Sequence, residues 1–167
     1  INNIDINADS TFRIMEEAQA RGHELFYYTP NGLSYQNLQV MADGWPITVK
    51  RVQGDHFSLK EKSRINLSDF DVVWLRQDPP FDMGFITTTH LLDRVKSDTL
   101  VVNNPTWVRN WPEKLKVLDY PELTPPTTIA WDLDILKSFK KEHEDIILKP
   151  LYGNGGAGVF RLSAEDS

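Results

Sequence analysis

The run Ile146-Ile147-Leu148-Lys149-Pro150-Leu151-Tyr152-Gly153-Asn154-Gly155-Gly156-Ala157-Gly158 decides how the rest of this chain is read. Three apolar residues are enough for a short strand, and Pro150 pushes Lys149 toward an extended backbone, so its amine projects from a fixed strand end. The glycines that follow cost chain entropy and add no packing. That composition suits a place where bare backbone N–H groups must approach an anion, with phosphate the leading candidate. The competing reading is a glycine-rich hairpin turn beside a surface lysine.

Gly153-x-Gly155-x-x-Gly158 also spells the dinucleotide fingerprint, but that motif needs a helix after it. Here Val159-Phe160-Arg161-Leu162 alternates like a strand, which predicts a hairpin lid between two strands and disfavours NAD. No Gly-Lys-Ser/Thr follows, so a Walker A loop is excluded.

Outward from this stretch, 167 residues can bury the core of one domain, or of one domain plus part of a second. A 40% hydrophobic and 25% charged composition is that of soluble globular proteins, and no apolar run approaches the roughly 18 residues of a membrane span. A soluble, cytoplasmic protein with no membrane partner is expected. The net charge of −6 disfavours nucleic acid as a partner while leaving room for a local lysine pocket. No cysteine is present, so there is no disulfide frame and no thiolate metal site. The chain opens on Ile1-Asn2-Asn3 and closes at Ser167, shortly after the glycines, and is expected to be a piece of a longer protein.

Taken in order, Ser10 or Thr11 is expected to cap a helix with Phe12, Ile14, Met15 and Ala18 on one face, stopped at Gly22. Leu25 to Tyr28 reads as a strand with Tyr27 and Tyr28 in the sheet, and Thr29-Pro30-Asn31-Gly32 as a turn. Two strand-like runs between Leu38 and Val52 flank Asp43-Gly44, a type I′ turn signal, and predict a β-hairpin insertion. Asp55 to Ser68 is polar, with His56 and Arg64 expected in solvent. Phe70 to Leu75 is apolar without alternation, as in a strand covered on both faces. Arg76-Gln77-Asp78-Pro79-Pro80-Phe81-Asp82 follows at its carboxyl end, where ligands of open α/β sheets sit. Arg76 there can grip a carboxylate, or simply pair with Asp78. A helix over 83–96 and a strand over 99–102 complete an alternation that implies a parallel sheet. The domain boundary is placed near Trp111, giving 1–111 and 112–167. Beyond it come a short helix from Glu113, an extended strand over 124–129, and a helix capped by Asp132 or Asp134.

With these pieces in order, the chain resembles the prokaryotic glutathione synthetases, members of the ATP-grasp ligases. The resemblance rests on Ile6 to Thr11, Arg21 to Leu25, Arg76 to Asp82, Val102 to Pro105, Glu113-Lys114-Leu115 and Ile146 to Gly158. It implies a Rossmann-like, parallel-sheet N-terminal domain with the β-hairpin insertion, then the first α+β part of an ATP-grasp domain. The implied activity joins γ-glutamylcysteine to glycine through an acyl phosphate, with ATP and Mg²⁺. It also implies that Lys114 and Lys149 contact the ATP phosphates, that Gly153, Asn154, Gly155 and Gly156 belong to the loop closing over them, and that Arg76 binds the γ-glutamylcysteine portion. Metal ligands are expected outside these residues, so the chain alone should be inactive. Where the family often has lysines, this chain has Gln77 and Asn104, and no role is carried to them. A homo-oligomer is left open. The alternatives are another ATP-grasp carboxylate–amine ligase and a non-catalytic nucleotide-binding module.

Overall fold

A computed structural model describes residues 1–153 and 155–166. The chain divides into two compact units, one of Ile1–Asp78 with Met83–Val108 and one of Pro79–Asp82 with Arg109–Ser167.

In the first unit, helix α1 (Ser10–Ala20) starts at Asp9, whose carboxylate accepts from the Phe12 backbone N–H at 2.6 Å. Asp9 therefore caps the helix, in place of the expected Ser10 or Thr11, and frees both hydroxyls. Beyond the helix, Gly22 has φ 84°. Strands β1 (Leu25–Gln36) and β2 (Gln39–Val49) pair antiparallel, and the chain reverses at Asn37 and Leu38, with φ 50° and 66°. The expected turn at Asp43-Gly44 is instead mid-strand. Gly44 is there because the strands crowd: a Cβ on it would lie 2.3 Å from the Tyr27 carbonyl oxygen. Thr29-Pro30-Asn31-Gly32, expected as a turn, is the irregular part of β1 where the register against β2 shifts. Tyr27 and Tyr28 are half-buried, and burial pushes the Tyr28 phenol up to about 12.

Strands β3 (Phe57–Leu59) and β4 (Ser63–Asn66) both pair with β2, completing a four-stranded sheet whose pairs are all antiparallel. His56, expected in solvent, is only 5% exposed. Its Nε2 lies 3.0 Å from the Ile1 carbonyl oxygen, and its ring meets Phe12 and Phe57 edge-on. Arg64 is exposed, as expected, and donates to Ser34 and Gln36.

The parallel component is one pair, β5 (Val72–Trp74) with β6 (Leu100–Val102); helix α2 (Met83–Leu92) lies between them in the chain. Val73 is buried while Val72 and Trp74 are exposed, so β5 is covered on one face, where the unbroken apolar run predicted two. The covered face joins Val73, Leu75 and Val101 to Val40, Ala42, Leu67, Leu92 and Val95 in one core. A second core gathers Ile6, Phe12, Ile47 and Val49 where α1 packs on β2. Asn104 caps helix α3 (Pro105–Asn110), accepting from the backbone N–H groups of Thr106 and Trp107.

In the second unit, Asp132 caps helix α4 (Leu133–His143) by accepting from Asp134 N–H at 2.7 Å. Strands β7 (Ile146–Leu148) and β8 (Phe160–Leu162) form the predicted antiparallel hairpin, with Ile146 opposite Leu162 and Leu148 opposite Phe160. The expected strand over 124–129 makes no ladder: a 3-10 turn at Pro121–Leu123 runs into Pro125-Pro126, which lack donors. The short helix expected from Glu113 is a 3-10 turn at Lys116–Asp119. Among the described residues the fold is mixed α/β with three separate sheets, and no helix is long and apolar enough to cross a membrane.

Candidate functional site

The second unit builds one group of candidate residues around the β7–β8 hairpin. Its foot is fixed by Asp145, which accepts from Arg161 Nε at 3.0 Å and Nη2 at 2.6 Å, so this guanidinium is occupied. Those hydrogen bonds hold the Asp145 carboxyl below its ordinary range. Lys149 leaves the end of β7 with its side chain exposed. The chain then turns at Gly153, whose N–H donates to the Pro150 carbonyl at 3.4 Å. Gly155 and Gly156 follow at φ 60° and 76°, a consecutive left-handed pair that side-chain-bearing residues rarely adopt. Asn154 lies outside the described residues.

Lys114 is half-buried, and its amine donates to the Gly153 carbonyl oxygen. The structure thus brings together Lys114 and the glycine loop, which are far apart in sequence. Lys116, two residues on in the same charged run, is engaged elsewhere: its amine pairs with Asp119 and sits 4.1 Å from the centre of the Trp111 ring. An amine at the mouth of a loop of exposed glycine backbone is chemically suited to an oxyanion such as phosphate.

The first unit holds Arg76. It follows Leu75, whose N–H donates to the Val102 carbonyl at 2.5 Å, and so stands at the carboxyl end of the parallel pair. Arg76 does not pair with Asp78. Its Nε donates to Thr11 Oγ1 at 3.1 Å, and its Nη2 donates to Ser10 Oγ. Sequence reading assigned Ser10 and Thr11 to capping and missed this contact. The available signal was Asp9, a third cap residue that makes the two hydroxyls surplus. Gln77 Oε1, next along the chain, is buried without a hydrogen-bond partner among the described residues.

A cavity of about 640 Å³ opens beside Ser10, lined also by Asn7, Asp9, Arg13 and Arg51. Arg51 is matched there by Glu16, whose carboxyl it holds below the ordinary range through a hydrogen bond. Among the described residues no group of three or more His, Asp or Glu converges.

Two family models match the chain: "Prokaryotic glutathione synthetase, N-terminal domain" over residues 1–109, and "Prokaryotic glutathione synthetase, ATP-grasp domain" over residues 113–167. A glutathione synthetase of Brucella melitensis is 54% identical over 166 residues, covering 99% of this chain and 53% of the relative. One of Agrobacterium fabrum is 52% identical over 166 residues, covering 99% and 52%. One of Vibrio parahaemolyticus is 40% identical over 167 residues, covering 99% and 53%. The chain spans about half the length of the curated relatives it matches.

Proposed function

The chain belongs to the prokaryotic glutathione synthetase family, and from that premise we propose that the full protein joins γ-glutamylcysteine to glycine at the expense of ATP. In this reading residues 1–111 form the substrate-binding domain, with β5 and β6 part of a Rossmann-like parallel sheet and α2 the helix that connects them. Residues 112–167 begin the ATP-grasp domain. The protein works in the cytoplasm on small molecules, with neither nucleic acid nor membrane as partner.

The observation that carries the reading is the hydrogen bond from Lys114 to Gly153. It supports a shared role for the Glu-Lys-Leu lysine and the glycine hairpin. A carboxylate oxygen of the cysteine moiety attacks the γ-phosphorus of ATP and ADP departs. The glycine amine then attacks the acyl carbon and phosphate departs. Charge spreads over the moving phosphoryl oxygens in the first step, so catalysis rests on positioning and on donors aimed at those oxygens. Lys114 and Lys149 supply two cations, and Gly153, Asn154, Gly155 and Gly156 supply backbone N–H groups. Closure of the hairpin over the phosphates keeps water from the acyl phosphate. Arg76 takes a carboxylate of the dipeptide. Mg²⁺ would be held by residues other than these.

The test is to supply the full-length protein with ATP, γ-glutamylcysteine and glycine. Glutathione and phosphate should appear in equal amounts, with neither formed when glycine is omitted. Faster turnover of another acid and amine pair would favour a sibling ATP-grasp ligase. Tight ATP binding without phosphate release would favour a non-catalytic module.

A further inference from the structure

Arginine presents five N–H groups on two usable edges: a side edge of Nε and Nη2, and an end edge of Nη1 and Nη2. In Arg76 the side edge is taken. Nε donates to Thr11 Oγ1 at 3.1 Å and Nη2 donates to Ser10 Oγ, both from the first turn of α1. Nη1 makes no hydrogen bond to a described residue, and the guanidinium is exposed. One edge is therefore fixed by protein and the other, with its two parallel N–H directions, is free for a planar two-oxygen anion.

We propose that Ser10 and Thr11 are positioning residues that lock Arg76 in place and leave its end edge to grip a carboxylate of the dipeptide. The proposal rests on the reading that Arg76 binds that substrate. Its physical content is preorganisation. A free arginine must give up rotamer freedom on each binding event, whereas a guanidinium held by two hydroxyls has already lost it on folding. The locking groups are themselves anchored. Asp9 caps α1, and Phe12, immediately after Thr11, is fully buried against Ile6, Ile47 and Val49. Because Asp9 already serves the helix end, losing either hydroxyl should leave the helix intact.

The test compares Thr11→Val, Ser10→Ala, Arg76→Ala and the double variant Thr11→Val with Arg76→Ala in the full-length protein, with melting temperature as a control for folding. Thr11→Val should raise the KM for γ-glutamylcysteine about five- to tenfold, the scale of one lost charge-assisted hydrogen bond, while the KM for ATP stays put. Thr11→Ser, which keeps the hydroxyl, should restore it. On the Arg76→Ala background, Thr11→Val should add less than about a twofold change, because the lock then has nothing to hold. Ser10→Ala, at an exposed side chain, repeats the test should the valine lower the melting temperature. Equal KM increases with and without Arg76, or no increase in the single hydroxyl variants, overturn the lock while leaving the role of Arg76 standing. An unchanged dipeptide KM in Arg76→Ala removes the underlying reading, and the lock with it.

Discussion

The unit that carries Arg76 and the unit that carries Lys114 and Lys149 differ in how they are packed. The first has two buried cores, in which Phe12, Leu67, Leu92 and Val95 are almost fully removed from solvent. The second has no buried residue among those described, and it leaves Trp131 88%, Leu133 61% and Phe160 58% exposed. The chain spans about half the length of the relatives it matches, so this exposure belongs to the 167 residues and not to the full-length protein. The proposed carboxylate grip thus stands on elements with a core of their own, while the proposed phosphate loop stands on a hairpin that has none within these residues.

The comparison breaks most readily in the cores. Leu92→Ala should cost about 2–5 kcal/mol, read by urea unfolding, because it empties a fully buried site. In the same 167-residue chain, Phe160→Ala, more than half exposed there, should cost under about 1 kcal/mol. Similar costs at the two positions would abolish the contrast. On the catalytic side, Lys149→Ala in the full-length protein should lower kcat roughly a hundredfold or more, the scale of one lost transition-state charge contact. A change within threefold would mean that this amine does not meet the transferring phosphate.

A smaller effect tests the frame itself. Asp9→Ala should destabilise the first unit by about 1 kcal/mol through loss of the α1 cap, while Ser10→Ala leaves stability nearly unchanged. The reverse order would return the cap to Ser10.

The smallest effect is in pH dependence. Glu16 is held below its ordinary value of 4.5, chiefly by a hydrogen bond from Arg51, and Asp145 below 3.8, chiefly by one from Arg161. A depressed folded-state value gives stability that is fully present above the unfolded value and lost as pH falls through the folded one. The Asp145–Arg161 pair faces solvent and Arg51 reaches solvent beside a more covered Glu16, so the loss below about pH 4 should be slight. Arg51→Met should flatten the part of it belonging to the first unit in thermal melts. An acid limb that stays as steep would assign it to other carboxylates.

What was legible in the sequence was local. Asp132 caps α4, and Leu148 and Phe160 meet across the predicted hairpin, because a cap and a short-range alternation carry their own physics. The errors came where distant chain decides. Asp43-Gly44 looks like a turn, but Gly44 is required by the approach of Tyr27 from the neighbouring strand. His56 sits in a polar run, yet Phe12 and Phe57 bury its ring. In the candidate site, Lys149 and the glycines were visible as a pattern. Lys114 came only through resemblance, since nothing in Glu113-Lys114-Leu115-Lys116 says which lysine faces the loop. Ser10 and Thr11 were hidden by the ambiguity of hydroxyl residues at a helix start, which can serve the backbone or another side chain with equal ease.

The most direct test is lysine footprinting of the full-length protein: acylate accessible amines across an ATP titration and read each lysine by mass spectrometry. Lys114 and Lys149 should become protected together, with one midpoint, while Lys137, exposed on α4, stays reactive. Protection of one without the other at saturating ATP, or two separate midpoints, would contradict a shared triphosphate site.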